Sequence, residues 1–260
     1  MNASLLPSFC AFLDIFGFRE VIARAYSENR EAKLLAEVAD ALSASTGRMK
    51  SLKAKFPTFD VKLFTDNIVI GYRHLVNPNL WHLCEVLSDY QLAMACKGFF
   101  IRGGVSTGTL AIDEDVVFGD ALIKSHHLES VDAKNPRIIL DPALKDKIAQ
   151  SISSASASAM DTWKAHFMCD VDGFWFVNYL SASYEPRSDP KYRRVFYPSE
   201  AKLASHRTQV ELQLERTRNE PEKWSKYFWV ANYHNSFCEP FGMKQLIIAE
   251  SLLRPRPITL

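Results

Sequence analysis

Two aspartates interrupt apolar, strand-like runs of this chain. Asp14 lies within Phe12-Leu13-Asp14-Ile15-Phe16-Gly17-Phe18, and Asp66 within Val61-Lys62-Leu63-Phe64-Thr65-Asp66-Asn67-Ile68-Val69-Ile70. A carboxylate drawn into such surroundings is destabilising by about several kcal/mol unless a positive group accompanies it. The pair therefore calls for an arginine, a lysine or a metal, and a divalent cation is the first expectation. The competing reading makes both aspartates turn caps or partners of basic side chains.

The chain has 260 residues, 47% of them hydrophobic, which is enough for one domain with an extension or for two small domains. Formal net charge is +1 with acids and bases interspersed, so no broad field draws it to nucleic acid or an anionic membrane. The cysteines, at 10, 84, 96, 169 and 238, form no C-x-x-C pair and read as reduced core thiols of a cytoplasmic protein. The apolar stretch from Phe9 to Phe18 has no basic leader and is broken by Asp14, which makes it a poor signal peptide. No run reaches the roughly 20 apolar residues that cross a bilayer.

Residues 8 to 18 read as a central strand, turned at Gly17 into a helix over residues 19 to 47 whose apolar positions recur near the 3.6 period. Phe59 to Thr65 and Ile68 to Tyr72 read as a hairpin with Asp66-Asn67 at its tip. A helix over residues 80 to 97 ends at Gly98, a strand follows from Phe99 to Val105, and an acidic loop at 113 to 115 leads to a short helix through Glu129. Pro136 to Pro142 brackets a buried strand. This β-α-β-β-α-β order with one more αβ unit is the ferredoxin-like pattern. Beyond it come a low-information stretch at 151 to 159, a strand pair around Asp172-Gly173, a polar loop at 183 to 195 and two helices. The second is aromatic-rich and contains Asn232 and His234, whose surroundings read as core or interface, with a catalytic role as the alternative.

Four segments in order carry a family resemblance: Asp14-Ile15-Phe16-Gly17-Phe18, Lys62-Leu63-Phe64-Thr65-Asp66, Arg102-Gly103-Gly104-Val105-Ser106-Thr107-Gly108, and Val117-Phe118-Gly119 followed by a helix ending Leu128-Glu129. Over residues 8 to about 142 the chain resembles the class III nucleotidyl cyclases, most of all the bacterial pyrimidine cyclases of Pycsar antiphage systems. The resemblance implies an α+β fold, a ferredoxin-like class III cyclase core at residues 1–150 with an appended C-terminal lobe at 151–260 that packs on the core or on a dimer partner. It implies two divalent metal ions, Mg2+ or Mn2+, on Asp14, Asp66 and the Ile15 carbonyl. Backbone amides at Phe16, Gly17 and Phe18 would bind phosphate at a helix N-terminus, where the dipole favours anions. Lys62 would read the base from the opposite subunit of a homodimer with shared active sites, or else be a solvent-facing strand lysine. Arg102 would touch the nucleotide, or instead pair with Glu129 or with the acids at 113 to 115.

Departures from the family pattern bear on substrate. The aspartate that accepts the adenine amino group falls on Val116, the residues that steady the transition state fall on Ile123 and His127, and a phosphate-binding arginine falls on Thr109. Arg102, Lys124, His126 and His127 are the remaining nearby cations. The expected activity is conversion of UTP, or less readily CTP, to its 3′,5′-cyclic monophosphate and pyrophosphate. By resemblance the product acts on a cyclic-nucleotide-responsive effector in antiphage defence. A purine cyclase and a catalytically silent nucleotide-binding dimerisation module are the rival readings.

Overall fold

The computed structural model describes residues 4–56, 58–64, 66–113, 116–153, 165–189 and 192–254. They divide into two compact units, residues 1–94 with 99–182 and residues 95–98 with 183–260. No described helix is long and apolar enough to cross a membrane.

The first unit is built on strands β1 (Leu6–Ile15), β2 (Phe59–Phe64), β3 (Asn67–Arg73), β4 (Ile101–Ile112), β5 (Val117–Phe118), β6 (Ile138–Leu140), β7 (Phe167–Cys169) and β8 (Trp175–Val177). Its helices are α1 (Phe18–Ser27), α2 (Glu31–Lys55), α3 (Asn77–Ala95), α4 (Asp120–His127) and α5 (Pro142–Ser153). The sheet order is β2-β3-β1-β4-β6-β8-β7, with β5 paired to β4. The first four strands are antiparallel throughout. This is the ferredoxin-like arrangement expected from the sequence, within an α+β fold.

Strand period decides which side chains reach the site. Phe9, Ala11, Leu13 and Ile15 of β1 face the main core, where Ile68, Ile70 and Tyr72 of β3 and Leu83 and Leu87 of α3 meet them. Cys10 and Phe12 point the other way, into a smaller cluster with Val69, Leu110, Ile112 and Ala121 of α4. Asp14 continues that second row, so its carboxylate emerges on the α4 side.

Several expected elements are corrected. The helix predicted over residues 19 to 47 is two helices, because Asn29 takes a left-handed φ of 53° and stops the first one. The strand predicted to end at Val105 runs to Ile112. The sheet continues through the β7–β8 hairpin, and the first compact unit reaches residue 182. Arg137, wholly buried, fastens that hairpin: its guanidinium pairs with Asp170 and Asp172 and lies over the Phe176 ring. The low-information stretch at 151 to 159 lies largely outside the described residues, as do Thr65, Glu114 and Asp115.

In the second unit the expected polar loop at 183 to 195 is instead a hairpin of β9 (Tyr184–Asp189) and β10 (Tyr192–Pro198). Helices α6 (Glu200–Arg216) and α7 (Pro221–Cys238) follow, then a short α8 (Glu250–Leu253). Tyr184, Tyr197, Phe237 and Phe241 pack edge to face at the hairpin.

Candidate active site

The turn leaving β1 is set by Gly17, which caps α1 with φ 73°, a conformation that disfavours any side chain. Next to it, the Ile15 amide donates to the Asp66 carbonyl at 3.2 Å. The aspartate of the hairpin tip is thereby held beside the end of β1, and the Asn67 side chain donates to its Oδ1 at 3.2 Å. Asp14 stands opposite Asn67 on β3 and opposite Arg102 on β4. Directly opposed residues of antiparallel strands share a face, so Asp14 and Arg102 meet on the α4 side. One guanidinium nitrogen lies 3.5 Å from Asp14 Oδ2 and 2.5 Å from Glu129 Oε1.

Glu129 arrives there through two backbone features. Gly104 lets the end of α4 lie against β4, since a Cβ at that position would stand 2.6 Å from the Ser125 carbonyl oxygen. A π turn over Leu128–Asp132, closed by the Ala133 amide on the Leu128 carbonyl at 2.7 Å, then continues α4 and buries the glutamate. The pairing of Arg102 with Glu129 is close but lacks hydrogen-bond angles, and neither Glu129 Oε1 nor Arg102 Nε has a hydrogen-bond partner.

The electrostatics follow from this crowding. Burial first, then the negative charge of Glu129, pushes the Asp14 carboxyl up to about 7; Asp66 adds to the rise, while Arg102 opposes it. The carboxylates outnumber the guanidinium, so the site suits a further cation. Asp14, Asp66 and the Ile15 carbonyl fit the oxygen donors that Mg2+ or Mn2+ prefer. Among the described residues, no three His, Cys, Asp or Glu side chains converge as a ligand set, so side-chain ligation would rest on the two aspartates.

The other expected positions divide. The Phe16 amide donates to the Phe100 carbonyl at 2.8 Å, which commits it to the fold and takes it out of the expected phosphate-binding set. Gly17 and Phe18 open α1, whose first-turn amides have no partner inside the helix. Arg102 takes the alternative reading: it pairs with Glu129, and with Asp14 as well. Lys62 lies on the edge strand β2 opposite Val69. Because β2 ends at Phe64, Asp66 sits in the turn, and the alternation of the strand does not relate its face to that of Lys62.

Elsewhere, Thr109 gives its amide and its hydroxyl to Asp120, which also pairs with Lys124 at 2.9 Å. Ile123 is exposed, His126 stacks edge-on against Phe12, and His127 lies 3.9 Å from Asp132. Val116 closes a small loop, its amide donating to the Asp113 carboxylate at 2.9 Å. In α7, His234 is buried against His206, which places it in the core, whereas Asn232 is exposed and its side chain donates to the Phe228 carbonyl of its own helix. The sequence offered Glu129, or the acids at 113 to 115, as partners of Arg102 but did not show that Arg102 and Glu129 both adjoin Asp14; Gly104, two residues after Arg102, was the available signal.

No protein-family model and no curated protein matches this chain. Among solved structures it is similar to the guanylyl cyclase Cya2, with 14% identity, 68% of this chain and 94% of that chain covered, and a TM-score of 0.43. It is similar to a bacterial light-regulated adenylyl cyclase at 14% identity, 68% and 53% coverage and a TM-score of 0.46. A Trypanosoma brucei adenylate cyclase in its monomeric state matches at 14% identity, 74% and 95% coverage and a TM-score of 0.44.

Proposed function

We propose that the chain is a nucleotidyl cyclase that converts a pyrimidine nucleoside triphosphate, UTP in preference to CTP, to the 3′,5′-cyclic monophosphate and pyrophosphate. The observation that carries the reading is the fastening of Asp66 to the Ile15 amide beside Asp14 and the glycine-capped start of α1. Two acid side chains and a helix N-terminus are thus gathered at one end of β1. Divalent ions held by Asp14, Asp66 and the Ile15 carbonyl would stabilise the attacking 3′-oxygen and the leaving pyrophosphate. The chain's own part is positional: β1 and the hairpin tip hold the carboxylates, and the amides opening α1 face the phosphate charge.

The pyrimidine preference rests on Val116. An aliphatic side chain at that place accepts nothing from the adenine amino group, and a buried donor left unpaired costs about 1–3 kcal/mol. In this reading Lys62 reads the base from the partner subunit, the active species is a homodimer, and the product signals to an effector in antiphage defence. A purine cyclase is the second reading, since the structural neighbours named above are adenylyl and guanylyl cyclases. Incubating the purified protein with each of the four NTPs and Mn2+, and identifying the product by mass, tests both. A cyclic pyrimidine monophosphate is the expected product; a purine product overturns the base assignment, and no cyclic product from any of the four overturns the cyclase.

A further inference from the structure

We infer that Arg102 is a cation placeholder, seated by Glu129 beside Asp14 so that it balances this carboxylate until a divalent ion takes Asp14 over. The inference rests on the metal reading of Asp14 and Asp66 and deepens it.

Three observations carry it. Arg102 lies directly across the β1–β4 ladder from Asp14, which fixes its stem on the aspartate's face whatever the guanidinium does. The head group is shared unequally, at 3.5 Å from Asp14 and 2.5 Å from Glu129. No tight hydrogen-bond pattern locks it: the contact to Asp14 is at the outer limit, the contact to Glu129 is off-angle, and Nε has no acceptor. A guanidinium held mainly by charge, with one long hydrogen bond to Asp14, is free to move wholly onto Glu129 when a stronger cation occupies Asp14.

Glu129 is the anchor that makes this exchange possible. It is 5% exposed, carried by a π turn and backed by Gly104, so it cannot swing to water. It does not join Asp14 and Asp66 in a convergent ligand set, which makes it a positioning residue for Arg102.

The test is Mn2+ binding in the absence of nucleotide, read from the electron paramagnetic resonance signal of free Mn2+, with Asp14→Asn as the reference for the site. Arg102→Gln removes the competitor and should tighten Mn2+ binding about tenfold, the effect of one close like charge in a partly buried site. Glu129→Gln drives Arg102 onto Asp14 and should weaken binding by a similar factor. In the Arg102→Gln background the Glu129→Gln penalty should shrink at least about threefold, because the exchange it governs no longer exists. Unchanged or weaker binding in Arg102→Gln overturns the placeholder, as does unchanged or tighter binding in Glu129→Gln. A Glu129→Gln penalty equal or greater without Arg102 would make the glutamate a metal ligand and overturn its positioning role. Wild-type binding no different from that of Asp14→Asn would instead overturn the metal reading itself, and the inference with it. The Glu129→Gln variant keeps the side-chain shape, so the experiment retains a folded arm even if Arg102→Gln does not fold.

Discussion

The amide of Ile15 donates to the carbonyl of Asp66, joining the end of β1 to the tip of the β2–β3 hairpin. Through this bond two segments some fifty residues apart in sequence present their carboxylates from fixed backbone. Because the fastening uses main-chain atoms alone, side-chain changes at either aspartate leave it in place, and this makes the site open to clean substitution.

Asp14→Asn and Asp66→Asn should each lower cyclic-nucleotide production at least about a hundredfold while the protein stays folded, since a neutral isostere replaces an anionic ligand. Asp14→Asn should also raise the Tm of the metal-free protein at pH 8. The wild-type carboxyl, pushed up to about 7, is there forced to ionise in a buried place beside other acids. The gain should fade toward pH 5, where the wild-type group is already neutral. Near wild-type turnover in either variant, or a Tm gain independent of pH, would refute the assignment.

If Lys62 serves the nucleotide held by the partner's aspartates, inactive Asp66→Asn and inactive Lys62→Ala proteins should complement when mixed. Random exchange makes half the dimers mixed, each with one intact site, so about a quarter of wild-type activity should return. Verified subunit exchange without recovery would contradict a shared site.

Val116→Asp should raise kcat/KM for ATP relative to UTP by about tenfold, because it supplies an acceptor for the adenine amino group. Rates for ATP, GTP, CTP and UTP under one metal and salt condition decide it. In the wild type a purine ranking first would contradict the pyrimidine preference.

Arg137→Met should lower the stability of the first unit by about 1–3 kcal/mol, because the largely enclosed Asp170 loses its cation while Asp172, 40% exposed, falls back on water. Asp170 is the more enclosed of the two partners, and Asp170→Asn should therefore cost more than Asp172→Asn. Chemical denaturation read from tryptophan fluorescence would measure it. A loss below about 1 kcal/mol would show that the β7–β8 hairpin does not depend on this arginine.

His206 and His234 meet Nδ1 to Nδ1 at 3.0 Å, and His234 Nε2 lies 3.0 Å from the Leu246 carbonyl oxygen. Burial holds both below their ordinary range, His234 at about 4. Each charges more easily in the unfolded chain than in the folded one. The folded state therefore binds fewer protons, and the stability tied to the pair is complete above about 6.5 and lost as pH falls toward 4. Arg207 opposes protonation of His234 and Glu211 favours it, both less strongly than burial does. The Tm difference between wild type and His206→Asn should accordingly narrow from pH 7 to 4.5; a constant difference would contradict the linkage.

The sequence by itself determined the order of the strands from β1 to β4 and the two carboxylates beside them. Periodic apolar runs, the hairpin at Asp66-Asn67 and the glycine after Ile15 are local signals, each read from a few neighbouring residues, and local chemistry is what a sequence displays directly. It also placed His234 correctly among core candidates through its aromatic surroundings. The helix break at Asn29 and the β9–β10 hairpin escaped, the first because a single left-handed residue interrupts an otherwise continuous period, the second because the run Tyr184-Glu185-Pro186-Arg187-Ser188-Asp189 has no apolar alternation. Only the tertiary structure decided what Arg102 does. Its partners are 88 residues before it and 27 after it, brought together by antiparallel register on one side and by a π turn packed on Gly104 on the other. Whether a buried charge meets a phosphate or a carboxylate depends on which atoms the fold delivers within a few ångströms, and that distance is a property of packing, which no spacing along the chain encodes.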